Sequence, residues 1–324
     1  MPPKIRGMKY TLVIIGKEDQ ELLDRGLPYE KFLLGPKNSS APLELSALES
    51  QLDRHQSIAR LELVHIHAAR DHLVLTNPSI LEITPEESNA LYESIKDILA
   101  EISSVIYRPK SLPGKWFIEA DKLSSLSTVH TAQAEGRNID TWMPADTDTP
   151  GVARQWRKWQ NEIQMIWFDH PVNQARQAQG QLSINSIWIS GIGCLADMQP
   201  HTAITTAEHL HSLEQADHVN SSVNLNLMAH HLGKPCITDI KSLDFKNTAS
   251  LLSLLHSESS EMQEHWHAAL DALRANEISI LEFIDFPEGA LRIRPITIKD
   301  LPKKSWAFWK KAPYLQLEDI LGQS

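Results

Sequence analysis

The chain has 324 residues, 42% of them apolar; at ~150 residues per domain that is length for about two domains and core enough to exclude wholesale disorder. Lys and Arg number 31 against 41 Asp and Glu, a formal net charge of −10, which excludes a generally basic nucleic-acid binder. Cys194 and Cys236 are the only cysteines, which excludes a disulfide framework and an all-cysteine metal site and fits a reducing compartment.

No stretch approaches the ~20 apolar residues of a membrane helix. Basic residues precede an apolar run at 12–15, but the run is shorter than the ~7–15 residues of a signal-peptide core, and Lys17, Glu18 and Asp19 follow at once. The chain therefore reads as cytoplasmic, with 1–7 as a disordered leader before Met8.

Residues 10–15 read as a buried strand closed by Gly16, with a polar helix from Asp19, a loop over 35–42 and a helix over 43–54 bearing Leu45, Leu48 and Leu52. Residues 60–67 alternate, Leu61 and Leu63 against Arg60 and Glu62, as in a half-buried strand; 72–75 form a second. Thr84, Pro85 and Glu87 spell a capping box, and Leu91, Ile95, Ile98 and Ile102 give the helix one apolar stripe. A strand at 115–119 follows, then a polar, acidic loop over 127–150.

The helix from Thr149-Pro150 carries Val152, Trp156, Trp159, Ile163 and Ile166 at spacings of 4, 3, 4 and 3. Pro171 opens a short helix that Gly180 closes, and a strand over 184–190 ends in Gly191-Ile192-Gly193. Helices are expected at 205–218, 221–232, 247–256 and 260–275. Strands are expected near 236–240, 278–284 and 290–294, the last two forming a hairpin through Pro287-Glu288-Gly289. Strands interleaved with helices argue α/β or α+β; the expected class is α/β, a mixed sheet flanked by helices.

The segment from Trp156 to Gly193 is rich in side chains with fixed hydrogen-bonding geometry. Asn173 and Arg176 share a helix face, and His170 stands where free N–H groups favour an anion. Asn185 lies on the returning strand, and Gly191 and Gly193 would let a ligand approach the backbone. His170, Asn173, Arg176, Asn185, Gly191 and Gly193 are thus candidate ligand-binding residues for a small anion. The competing reading makes them caps and buried amides, with Arg176 a fork tying carbonyl groups together.

His201, His209, His211 and His218, among several acids, read as the solvated face of a helix, since their spacing departs from that of zinc helices. The clustered tryptophans read as core rather than a stacking platform. Between Gly289 and Pro313 only Asp300 opposes a run of Lys and Arg that ends beside Trp306, Phe308 and Trp309. This segment reads as a closing element whose aromatics dock on the domain, with nucleic-acid contact as the rival. No Walker A sequence, dinucleotide fingerprint or G-x-S-x-G elbow is present.

RDHLVL at 70–75, the capped helix from Thr84, GRNIDTWMP at 136–144, NEIQM at 161–165, HPVNQARQAQG at 170–180 and NSIWISGIG at 185–193 together resemble the RpfE-type regulatory proteins of proteobacteria. The last three also resemble archaeal-type cofactor-independent phosphoglycerate mutase, of the alkaline phosphatase superfamily. The resemblance implies a bacterial protein with a degenerate alkaline-phosphatase-like core and an inserted α+β region: 8–55 as the start of the core, 56–195 as the insertion, 196–324 as the rest with the basic aromatic segment. The superfamily places a Ser or Thr nucleophile between two metals held by Asp and His. Here Gly16-Lys17-Glu18-Asp19-Gln20 replaces the acidic-glycine loop, and the late Asp and His metal sequences are missing. The expected function is a pseudoenzyme without catalytic residues, metal or cofactor, regulating through a small anionic ligand or a protein partner. The rivals are a metal-dependent phosphotransferase with a rearranged site and a nucleic-acid accessory protein.

Overall fold

The computed structural model describes residues 8–15, 25–37, 40–212, 219–237, 248–257, 262–302, 314–317 and 320. The leader, the helix from Asp19 and the aromatic part of the closing segment lie outside them. The chain forms two compact units. One is Arg25–Gln199; the other comprises Met1–Asp24 and Pro200–Ser324, which flank it in sequence.

The flanking unit begins with β1 (Met8–Ile15). Arg25–Gln199 then runs through α1 (Pro28–Leu34), α2 (Ser40–Ser46), β2 (Ile58–Val64), the hairpin β3 (Ile66–Ala68) and β4 (Leu73–Leu75), and α3 (Pro85–Ile102). It continues with β5 (Ile106–Tyr107), β6 (Lys115–Glu119), β7 (Leu126–Ser127), α4 (Thr131–Ala134), β8 (Ala145–Asp146), α5 (Val152–Phe168), α6 (Pro171–Ala178) and β9 (Ser186–Gly193). The flanking unit resumes with α7 (Thr202–Thr206), β10 (His209–Ser212), α8 (Val219–His231), β11 (Cys236–Ile237), β12 (Ser250–His256), α9 (Met262–Arg274), β13 (Ile278–Asp285) and β14 (Arg292–Ile296).

In Arg25–Gln199 the sheet runs β5-β6-β2-β9, antiparallel throughout. Ala59, Leu61 and Leu63 of β2 turn one face toward α3 and α5, where Trp116, Trp156, Trp159 and Trp167 build the largest core of this unit. The capping box forms as its spacing requires: Glu87 N donates to Thr84 Oγ1 (3.1 Å) and Thr84 N to Glu87 Oε2 (2.9 Å). The α3 stripe is Leu91, Ile95, Leu99 and Ile102, with Ile98 only partly buried. On α5 the stripe turns through Trp167, leaving Ile166 exposed. Asp146 accepts from Gly151 N and Ala153 N and satisfies the start of α5.

Three local expectations change in this unit. The loop over 35–42 gives way at Ser40 to α2, which stops at Ser46, so Leu48 and Leu52 lie beyond the helix. β2 is buried on both faces rather than one. Residues 127–150 are no plain loop: β7, α4 and β8 lie across them, and Val129, His130, Thr131, Ile139 and Trp142 are buried.

In the flanking unit the sheet runs β11-β10-β12-β1-β13-β14, parallel except for β14, which pairs antiparallel with β13 through the expected hairpin. This is the mixed α/β sheet. Trp266, Leu270 and Leu273 of α9 cover Met8, Tyr10, Leu12 and Ile14, while α8 packs against β10, β11 and β12. The helix expected at 205–218 stops at Thr206, and 209–212 is strand. The helix expected at 247–256 is strand β12. The β12 sequence is a short apolar run buried on two faces, where periodicity cannot separate helix from strand; in β10 the adjacent Leu210 and His211 are both buried, as in a strand covered on two faces. Among the described residues no helix is long and apolar enough to cross a membrane.

Candidate functional site

The motif residues close on the backbone. Asn173 is buried; its amide nitrogen donates to Trp167 O (2.7 Å) and Ile184 O (2.8 Å), and its oxygen accepts from Ile184 N (2.7 Å). Arg176, also buried, donates from Nε to Leu182 O (2.6 Å), from one terminal nitrogen to Leu81 O (2.5 Å), and from the other to Glu87 Oε1 (2.9 Å). Asn185 pairs both ways with the backbone of Ile66. His170 Nδ1 accepts from Val172 N (3.2 Å) and caps α6, and burial pushes its pKa down.

These bonds bring Asn173 and Arg176 together around the turn over 179–184. Asn185 ties β9 to β3. Gly193 pairs with Ile58 in the sheet. Gly191 has φ +67°, and a β-carbon there would lie 2.5 Å from Ser40 Oγ and 2.8 Å from Ala41 N. The backbone approach that glycine permits is therefore used by the start of α2.

A dense set of buried ionisable groups lies on the other face of the same sheet. β2 reads Ile58-Arg60-Glu62-Val64 on this face. Ile58 and Phe117 pack with Leu45 at one end, and Val64 with Trp142 and Trp188 at the other. The band between them is charged. Arg60 donates to Glu44 Oε2 on α2 (2.9 Å) and to Ser190 Oγ on β9 (3.0 Å), and its Nε stands 3.5 Å from Glu62 Oε2. Lys115 of β6 donates to the second oxygen of Glu44 (2.8 Å), and Thr131 Oγ1 to Glu62 Oε2 (3.1 Å). Arg60 and Glu62 are 2% and 3% exposed, and Glu30 of α1 is buried nearby.

Electrostatics fix these states. Burial opposes the Arg60 charge, but Glu62, Glu44 and Glu30 outweigh it and hold the guanidinium protonated. Burial alone would raise the Glu44 pKa; Arg60 and Lys115 together bring it below the usual carboxylate range. Burial, with repulsion from Arg60 and Lys115, pushes His130 well below the usual imidazole value, so it stands neutral. Its Nδ1 accepts from Ala132 N (3.1 Å), which leaves the ring proton on Nε2. The band holds fixed charges away from water and keeps Glu44 ionised.

Sequence reasoning missed Arg60, Glu62, Glu44, Lys115 and His130 as a group. The available signal was an opposite-charge pair two residues apart inside an otherwise apolar strand.

In the flanking unit Tyr10 OH donates to Ser253 Oγ (2.9 Å), which lies 3.1 Å from His211 Nδ1. The His211 ring centroid is 5.0 Å from that of His265. Ser253 and His211 are fully buried, so this serine–histidine pair is closed to substrate, and His211 is on a strand rather than a solvated helix face. His218 lies outside the described residues.

Among the described residues, the Asp and His side chains are not arranged as a two-metal reaction would need. Asp71 and His72 bond to each other (2.7 Å), Asp197 pairs with Lys37 (3.1 Å), and His201 caps α7. Among the described residues no three His, Cys, Asp or Glu are placed to hold a metal ion.

No protein-family model matches the chain, and no curated protein does. Among solved structures it is similar to a cofactor-independent phosphoglycerate mutase from Thermoplasma acidophilum, at 14% identity over 90% of each chain and a TM-score of 0.37. It is also similar to the PH0037 protein from Pyrococcus horikoshii, at 12% identity over 89% of this chain and 86% of that one, with a TM-score of 0.39.

Proposed function

We propose that this chain is a phosphoglycerate-mutase-like pseudoenzyme that acts in regulation by binding rather than by phosphoryl transfer. The observation that carries the reading is the fate of the shared motif. Asn173, Arg176 and Asn185 are committed to backbone carbonyls, backbone N–H groups and Glu87. In this reading the HPVN and NSIW sequences persist because they tie α6 to β9, with no reacting phosphate to hold. The sequence after β1 supports it too, since Gly16-Lys17-Glu18-Asp19-Gln20 offers no acidic-glycine loop. Without two metals a phosphoryl transfer loses the electrostatic stabilisation that dominates such reactions.

A coupled phosphoglycerate mutase assay with added manganese, run beside metal analysis of the purified protein, tests this. The expected result is no turnover and no stoichiometric zinc or manganese. Turnover near ~10 per second, the median for enzymes, would establish the phosphotransferase instead.

A further inference from the structure

On α5, residues 154, 158, 161, 165 and 168 recur at spacings of 4, 3, 4 and 3, which places them on one helical face. All five are exposed. The face begins with Arg154 and Lys158, with Arg157 exposed beside them, and ends with Met165 and Phe168, 79% and 76% exposed. Glu162, 3.7 Å from Lys158, flanks it. On α3, Glu86, Ala90, Glu93, Asp97 and Ala100 recur at the same spacing, and all but the half-buried Ala90 are exposed. That stripe is acidic; Lys96, 3.3 Å from Glu93, is its flanking cation.

The two helices lie side by side and antiparallel. Trp167 Nε1 donates to Ser94 Oγ (3.1 Å) near the middle of α3, and Trp159 Nε1 to Glu101 Oε2 (3.1 Å) near its end. An acidic stripe and a cationic, apolar stripe thus run together along the outside of one helical layer.

We propose that this layer is an interface between two copies of the chain. A two-fold axis parallel to the helices lays α3 of each copy over α5 of the other. Glu101 then faces Arg157 and Lys158, with Asp97 about one turn further along, and the small Ala90 leaves room opposite Phe168. An axis across the helices would set the acidic stripe of α3 on itself, so charge selects the first arrangement. The layer is only ~25 Å long, toward the low end of the ~800 Å² per partner of a stable complex. The dimer is therefore reversible and salt-sensitive.

Sedimentation velocity of the full chain over a micromolar concentration series tests it, in low salt and in ~0.5 M salt, where screening is strong. The expected result is a dimer in low salt that dissociates in high salt. Lys158→Glu and Asp97→Lys should each weaken self-association roughly tenfold, and the two together should restore it. Phe168→Ser should weaken it while leaving the melting temperature unchanged. A monomer at every concentration, or a dimer indifferent to these substitutions, overturns the proposal. So does a monomer that instead binds an acidic peptide through Lys158.

Discussion

Two arginines are buried to the same depth in Arg25–Gln199, and they are held in opposite ways. Arg176 is neutralised mainly by dipoles: two of its three partners are carbonyls of the main chain, and only Glu87 carries charge. Arg60 is neutralised by full charges, Glu44 and Glu62, with Glu30 adding to the field. Removing Arg176 frees carbonyls that local rearrangement and water can satisfy. Removing Arg60 strands carboxylates inside a sheet face. Equal burial therefore does not mean equal consequence; what decides is the charge left behind.

The largest test of that contrast is Arg60→Ala. It should cost about 3–5 kcal/mol, the range for breaking a buried pair from one side, read as a fall in the urea midpoint. A loss no greater than that of a surface variant would mean that Glu44 and Glu62 find protons or other partners. Arg176→Lys should cost less, about 1–3 kcal/mol, since an ammonium cannot reproduce the planar set of bonds but retains the charge facing Glu87. Stability equal to wild type would show that the planar geometry is dispensable.

The smallest effect is a pH dependence. The folded state holds His130 neutral with its pKa below the unfolded value near 6.5, so the unfolded chain binds the extra proton as pH falls. Stability should be level above that value and should decline below it, through the folded pKa. Glu44 adds a loss of the same sign at lower pH, below the usual carboxylate value of 4.5. In a His130→Gln variant the part of the decline beginning near pH 6.5 should vanish; an unchanged profile would assign it elsewhere.

The contrast also explains what the sequence made legible. The capping box of α3, the α5 stripe and the closure of α6 by Gly180 are local devices, and local spacing specifies them. Asn173 and Arg176 were visible as polar residues needing partners, but their spacing could not choose between a ligand and a carbonyl. The Arg60 band was hidden because Glu44, Arg60, Lys115, Thr131 and Ser190 meet only once the sheet is formed. The alternation of Arg60 and Glu62 with Leu61 and Leu63 resembled a solvated face, and nothing local announces that α2 and the 127–150 segment will cover it. β12 reads as a helix because a strand buried on both faces loses its alternation, and β10 because Ala207 and Leu210 fall three residues apart, a spacing that also fits a helix.

The position of β1 at the centre of the parallel sheet has a consequence during synthesis. Tyr10 and Ser253, which share a hydrogen bond, are 243 residues apart in the chain. At ~5–20 residues per second a ribosome needs roughly 10–50 s to travel between them. Through that interval both neighbours of β1, β12 and β13, are still unmade, while Arg25–Gln199 has already emerged with all the strands of its own sheet. The apolar MKYTLVII segment thus spends most of translation as an unpaired strand in search of an edge. A factor that holds nascent chains would find an exposed strand at β1, and release from it would have to await β12 and β13.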